Sequence, residues 1–169
     1  MITARMLIHQ LGPSLGALAL GGCPADPPAE PCSGSGVPVL TLSNRRAPID
    51  LATGREVEVF PPPQGGVFAE LDVTIDDIGI TELEYVRVEI EDANTGEPYA
   101  TVRYFGDSIP LICSQQTDLL EVANLPVGFS LAYTLDDLDG RAVVVTGSVD
   151  TETEEFPVQY EATLVRTEY

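Results

Sequence analysis

The stretch that decides the fold is VFAELDVTID, from Val67 to Asp76. Apolar and polar side chains alternate along it one by one. The apolar set is Val67, Ala69, Leu71, Val73 and Ile75. Because successive side chains of a strand point to opposite faces, this alternation predicts a β-strand with one face on a core and one in water.

The same period of two recurs along the chain after residue 36. The other predicted strands are 38–42, 56–60, 86–90, 100–105, 119–125, 129–134, 143–149 and 158–164. No segment keeps a helical period of 3.6 over ten residues. About seven to nine short strands without helices predict an all-β fold, an antiparallel immunoglobulin-like β-sandwich, with a closed barrel as the alternative.

Two acidic segments that end in glycine, 92–96 and 136–140, separate pairs of predicted strands. Both predict hairpin connections with glycine at a positive φ. The carboxylates of Asp136, Asp137 and Asp139 also provide the hard oxygen ligands that calcium prefers, so a calcium site is one hypothesis for the second segment. Asp and Gly favour turns for backbone reasons alone, and a plain turn is the preferred interpretation.

The N-terminal 22 residues have the order of a secretory signal. A start that carries Arg5 is followed by an apolar run over 11–20 and then by Gly21 and Gly22. The alternative is a buried N-terminal helix, for which the glycines and Pro13 are poorly suited. The pattern therefore predicts that the chain is exported.

The tetrapeptide Leu20-Gly21-Gly22-Cys23 resembles the lipobox of bacterial lipoproteins. The resemblance implies cleavage before Cys23, acylation of Cys23 and attachment to a membrane through the lipid. With Pro24 at the next position, it implies the outer membrane of a Gram-negative bacterium. Residues 1–22 would then be the signal, 23–36 a proline-rich and then Ser/Gly-rich tether, and 37–169 the sandwich.

The chain has three cysteines. If Cys23 is lipidated, Cys32 and Cys113 remain, and an oxidising compartment favours a disulfide between them. Two unpaired thiols are one alternative. A Cys23–Cys32 pair that leaves Cys113 unpaired is the other.

The segment 57–71, VEVFPPPQGGVFAEL, resembles a motif of uncharacterised bacterial lipoprotein domains in its Pro63-Gln64-Gly65-Gly66. The resemblance implies no known activity. From the residues themselves, the prolines and glycines predict a tight turn or bulge before the strand that follows. A ligand loop is the alternative, with Gln64 as the polar contact and Gly65, Gly66 and Phe68 beside it.

The charge excludes several classes of partner. All eight basic residues are arginines, against 27 acidic residues, and the formal net charge is −19. A chain this acidic cannot neutralise phosphates, so we expect no nucleic-acid partner and no electrostatic attachment to anionic lipid.

The inventory of reactive side chains also restricts the chemistry. His9 is the only histidine and lies in the predicted signal, and the sequence has no lysine or tryptophan. This composition excludes nucleophile–histidine catalysis, lysine Schiff bases and transition-metal sites from the exported part. Calcium is the only cofactor worth weighing, and otherwise we expect none.

We therefore expect a non-catalytic binding or structural module of the cell envelope that is anchored to the membrane. An envelope or surface protein is the expected partner. The rival hypotheses are a calcium-dependent adhesion module and a carboxylate-based hydrolase. Carbohydrate binding would need exposed aromatic rings, for which strand parity favours Phe68, Tyr85 and Tyr99.

Overall fold

The computed structural model describes Cys32, Gly34 and residues 36–44, 55–62, 65–79, 82–106, 108–109, 111–114, 117 and 119–167. The predicted signal, Cys23 and Gln64 lie outside these residues. Among the described residues, no helix has the length and apolar character needed to cross a membrane.

Nine strands and one short helix form the described part of the chain. They are β1 (Val39–Asn44), β2 (Glu56–Val59), β3 (Phe68–Asp76), β4 (Tyr85–Asp92), β5 (Pro98–Phe105), β6 (Leu111–Cys113), β7 (Leu120–Gly128), α1 (Leu135–Leu138), β8 (Ala142–Asp150) and β9 (Glu155–Arg166).

The strands form a four-stranded sheet in the order β1-β3-β7-β6 and a five-stranded sheet in the order β2-β9-β8-β4-β5. Neighbouring strands are antiparallel, except that β2 runs parallel to β9. In immunoglobulin domains the first, second, fifth and fourth strands share one sheet, and the third, sixth and seventh form the other. With β1 and β2 as the two halves of a split first strand and β5 as an additional strand after the third, the observed order is the same. The predicted immunoglobulin-like sandwich is confirmed.

The core lies between the two sheets. Along β3, Ala69, Leu71 and Val73 are fully buried, whereas the residues between them are half-buried on the outer face. The opposing sheet contributes the buried side chains of Val57, Val86, Val88, Ile90, Val143, Val145 and Leu164. Burial of the apolar face is thus what the alternating pattern encodes.

The connection between β7 and β8 differs from the prediction. The strand predicted over 129–134 is wrong, because this segment is a turn that leads into α1. The Thr134 side chain accepts a hydrogen bond from the Asp137 amide, and the Asp137 side chain accepts one from the Thr134 amide. This reciprocal capping box stabilises a helical turn.

The predicted hairpin over 136–140 is also wrong, since this segment belongs to the crossover from β7 in one sheet to β8 in the other. Gly140 does adopt the expected positive φ, 75°. The hairpin over 92–96 is confirmed: it joins the antiparallel pair β4 and β5, and Gly96 has φ 70°. Strand β6 was not predicted, because three residues are too few to show a period.

Candidate functional site

The outer face of the five-stranded sheet aligns four side chains in one row. Phe105 pairs with Tyr85, Tyr85 with Asp150, and Asp150 with Glu155. Directly paired residues project to the same face of a sheet. Because the neighbouring residues Val86 and Val149 point into the core, this row faces outward.

The next row brings two arginines opposite each other, Arg87 of β4 and Arg103 of β5. Like charges in this position destabilise a sheet unless each has another partner. Arg87 forms an ion pair with Glu155 and lies 3.9 Å from the Glu89 carboxylate.

Arg103 is held by aromatic rings. Its guanidinium carbon lies 3.3 Å from the centroid of the Tyr85 ring and 5.7 Å from that of Phe105. The two rings meet edge to face, with centroids 6.3 Å apart. No described carboxylate forms an ion pair with Arg103, so cation–π attraction holds the guanidinium group and its N–H edge stays open.

These residues border an open cleft of about 390 Å³, lined by Leu83, Glu84, Tyr85, Arg103 and Phe105. Phe105 is 56% exposed. Backbone hydrogen bonds on both sides hold the segment beneath the cleft. The Glu84 amide donates to the Asp150 carbonyl at 2.8 Å, and the Glu84 carbonyl accepts from the Gly106 amide at 2.7 Å. A Cβ at Gly106 would lie 2.5 Å from the Leu83 carbonyl oxygen, so this close approach requires glycine.

Asp150 lies beside Tyr85 and is only 3% exposed. Its Oδ2 atom accepts no hydrogen bond from any described residue. Burial, followed by the Glu155 carboxylate, raises the pKa of Asp150, while Arg87, the Tyr85 hydroxyl and Arg103 act in the opposite direction. A buried carboxyl group of this kind is costly to keep charged.

A second tyrosine–carboxylate network lies at the opposite end of β4. The Tyr99 hydroxyl donates to Asp92 Oδ2 at 2.6 Å, and the Asn94 and Thr95 amides donate to Asp92 Oδ1. These bonds, the one from Tyr99 first, lower the pKa of Asp92 to about 2. The Tyr133 ring packs on Tyr99 at 4.9 Å. This network fixes the β4–β5 hairpin against the β7–β8 connection.

The aromatic residues favoured by strand parity have different environments. Tyr99 is 6% exposed, so the expectation that it is a surface platform is wrong. Phe68 is half-buried and packs beside Gly66 and Gly128. Tyr85 borders the cleft, but Arg103 covers one face of its ring.

The acidic residues of the calcium hypothesis each have another interaction. Asp136 pairs with Arg166 at 2.7 Å, and the Asp139 side chain accepts from the Arg166 amide. Asp137 belongs to the capping box, where hydrogen bonds from Thr134 lower its pKa. Within the described ranges, no three acidic, histidine or cysteine side chains are grouped to hold a metal ion. The geometry gives calcium no support at this position.

The glycines of the proline-rich segment form a turn between β2 and β3. Gly65 and Gly66 have φ values of 89° and 91°, and the Gly65 amide donates to the Pro62 carbonyl at 3.0 Å. Phe60 and Phe68 exchange two backbone hydrogen bonds across the turn, at 2.9 and 3.1 Å. These contacts agree with the tight-turn interpretation. With Gln64 outside the described residues, the ligand loop stays a prediction.

Cys32 and Cys113 form a disulfide across 81 residues of sequence, as predicted. It holds the N-terminal segment against β6. The packing extends over residues assigned to the tether, because a Cβ at Gly34 would lie 2.0 Å from the Asp77 carbonyl carbon and one at Gly36 would lie 2.7 Å from the Asp77 side chain. Glycine is required there for contact with the domain. Lipidation of Cys23 stays a prediction.

Sequence reasoning missed Arg103, Phe105 and Asp150 as members of one site. The sequence does contain one signal that points to this site. In a chain with many more acidic than basic residues, Arg87 and Arg103 both occupy outward positions of predicted strands. What was missing was the register that makes these strands neighbours.

No protein-family model and no curated protein matches the sequence. Among solved structures, the chain is similar to the CooA pilin subunit from enterotoxigenic Escherichia coli. The match has 10% sequence identity, covers 76% of this chain and 99% of that chain, and has a TM-score of 0.35. A likeness this distant carries no inference about function.

Proposed function

We propose that this chain is an exported, lipid-anchored, non-catalytic binding module of the bacterial cell envelope, with its binding surface on the outer face of the five-stranded sheet. The observation that carries the proposal is the cluster of Tyr85, Arg103 and Phe105 around an open cleft. Tyrosine and arginine are the residues that most often dominate binding energy at protein surfaces.

The Cys32–Cys113 disulfide supports export, because structural disulfides persist in oxidising compartments. The secretory pattern of the first 22 residues and the lipobox-like tetrapeptide ending at Cys23 point the same way.

The position of the disulfide relates the anchor to the binding surface. In the β6–β7 ladder, Cys113 lies opposite Leu120 at the start of β7. Gly36 lies against Asp77, just after the end of β3. The row formed by Tyr85, Phe105 and Asp150 occupies this same end of the sandwich, because β4 begins there and β5 and β8 end there. A lipid at Cys23 would therefore keep the cleft on the membrane-proximal side.

The absence of catalysis is proposed from side-chain chemistry. The sequence has no lysine, and its single histidine, His9, lies in the predicted signal. The two cysteines of the domain are joined in the disulfide. Of the carboxyl groups with shifted pKa values, Asp92 accepts three hydrogen bonds, Asp137 belongs to the capping box and Asp150 is buried.

Mass spectrometry of the purified mature chain tests the anchor. We expect an N-terminal Cys23 carrying two or three acyl chains, and a Cys23→Ala variant that retains its signal and is not acylated. A mature chain that begins at another residue, or an unmodified Cys23, would refute the lipid anchor.

Photo-crosslinking in cells tests the binding surface. A photoreactive p-benzoylphenylalanine at position 101, an exposed outer-face residue of β5, should give adducts of increased mass. The same group at position 41, on the outer face of β1 in the other sheet, is the matched control. Equal adduct yields at both positions, or none at position 101, would count against this binding surface.

A further inference from the structure

We infer that the cleft beside Phe105 binds a neutral saccharide, with the Phe105 ring packing on a sugar face and Arg103 and Glu84 hydrogen-bonding its hydroxyl groups. This inference rests on the proposed function, since it assigns a ligand class to the proposed binding surface. The volume of about 390 Å³ lies in the usual range of small-molecule sites, roughly 300–1,000 Å³.

The aromatic ring available to a ligand is that of Phe105. Arg103 covers one face of the Tyr85 ring at 3.3 Å, whereas it stands 5.7 Å from the centroid of Phe105. Phe105 is also 56% exposed, and it is the one aromatic residue among the exposed large apolar residues of the described part of the chain. An aromatic face carries partial negative charge and attracts the weakly positive C–H groups on one side of a sugar ring.

The polar groups of the cleft suit hydroxyl groups. Arg103 has no described carboxylate partner and presents planar N–H donors, and the exposed Glu84 side chain presents acceptors. A hydroxyl group donates and accepts at once, so neighbouring hydroxyls on a sugar ring can use both side chains. A ligand that only donates or only accepts would leave one of them unpaired.

The charges of the cleft favour a neutral ligand. Its lining contains one cation, Arg103, and one anion, Glu84. The chain as a whole has a formal net charge of −19, which opposes the approach of an anionic glycan. The positive charge of the nearby Arg87 guanidinium is neutralised by Glu155 and Glu89.

The cleft is also held in place before any ligand binds. Tyr85 is fixed between Arg103 on one side and Asp150 on the other, and the Glu84 backbone is hydrogen-bonded to both neighbouring strands. Asp150 lies opposite Tyr85 in the β4–β8 pair and does not line the cleft. A preformed site loses little conformational entropy on binding.

Saturation-transfer difference NMR on the full chain, purified in detergent, tests the inference. The neutral probes are disaccharides of glucose, galactose, mannose and N-acetylglucosamine, and the anionic probe is trigalacturonate. We expect transfer to the ring C–H protons of at least one neutral probe, with a dissociation constant of about 1 mM. Trigalacturonate should show no transfer.

Variants at the cleft test its position. Phe105→Ala and Arg103→Gln should each weaken binding at least about fivefold, since each removes one of the proposed contacts. Phe105→Tyr keeps the aromatic face and should retain binding. Leu131→Ala is the matched control, because Leu131 is 90% exposed and lies beyond the opposite end of β7. Melting curves confirm that each variant is folded.

The inference is overturned by no transfer to any neutral probe, by transfer to trigalacturonate alone, or by binding that Phe105→Ala leaves intact. Crosslinks at position 101 without saccharide binding would reject a saccharide as the ligand but would still support the proposed binding surface. Failure of both experiments would reject both.

Discussion

Asp92 and Asp150 are the two buried carboxyl groups of the described sandwich, and their surroundings move their pKa values in opposite directions. Hydrogen bonds, first from Tyr99, lower the pKa of Asp92 to about 2. Burial raises the pKa of Asp150, whose Oδ2 atom accepts no hydrogen bond from a described residue.

These shifts give opposite contributions to stability as the pH changes. The pKa of Asp92 is lower in the folded than in the unfolded chain, so its contribution is present above about pH 4 and is lost as the pH falls towards 2. The pKa of Asp150 is higher in the folded chain, so the native state is favoured below about pH 4 and loses stability as the pH rises through the folded pKa.

We predict that Asp150→Asn raises the melting temperature at pH 7 by roughly 2–5 °C, because it removes the cost of a buried charge. The difference from the parent chain should shrink as the pH is lowered towards about 4, because the Asp150 carboxyl then becomes protonated in the folded chain. Melting curves by circular dichroism from pH 3 to pH 7 measure both effects. Asp92→Asn is the matched control and should lower the melting temperature at pH 7. A lower melting temperature for Asp150→Asn at pH 7 would contradict the argument.

At the scale of elements, Gly147 shows how closely the two sheets approach. It lies inside β8, where a Cβ would be 2.7 Å from Leu40 Cδ2 and 2.9 Å from Leu42 Cδ1. Leu40 and Leu42 belong to β1 in the other sheet and are buried. Glycine at this position therefore allows the two sheets to pack closely against each other.

We predict that Gly147→Ala destabilises the domain by about 1–3 kcal/mol, because the added methyl group overpacks the core. The matched control is Gly128→Ala, also in a strand. Its Cβ would meet only the half-buried Phe68 ring, at 3.3 Å, a milder overlap than the 2.7 Å contact at Gly147, so the expected loss is smaller. Urea unfolding monitored by circular dichroism gives both free energies of unfolding. Equal losses for the two variants would show that close packing at Gly147 is not the cause.

The elements themselves were largely predictable from the sequence. Long alternating runs such as that of β3 identified eight of the nine strands, since burying one face requires this pattern. The segment 129–134 also contains apolar residues, but the Thr134–Asp137 capping box turns the chain into α1. In that segment the local hydrogen bonds of the capping box outweighed a short and weak alternation of apolar residues. Strand β6 was too short to show any alternation.

At the scale of the whole molecule, the Cys32–Cys113 disulfide joins the entry of the chain to β6, the edge strand of the four-stranded sheet. Cys32 is 3% exposed and belongs to the core. The loop it closes spans 81 residues, so the link restricts the unfolded chain strongly.

We predict that replacing both Cys32 and Cys113 by Ala lowers the free energy of unfolding by about 2–4 kcal/mol. Urea unfolding of the parent chain, with and without reductant, and of the double variant measures this. Reductant should shift the midpoint of the parent chain towards lower urea and leave that of the double variant unchanged. Equal midpoints for the oxidised parent and the double variant would refute the stabilising role.

The sequence by itself determined the fold class and most strands, because periodicity is a local property. It favoured the pairing of Cys32 with Cys113 but left two alternatives open, and the structure decided between them. Only the tertiary structure decided that Phe105, Tyr85 and Asp150 stand in one row and that Arg103 stacks on Tyr85. The physical reason is register. Residues 93–141 separate strands β4 and β8 in the sequence. A pattern along one strand says which face a side chain occupies but not which side chain of another strand lies beside it.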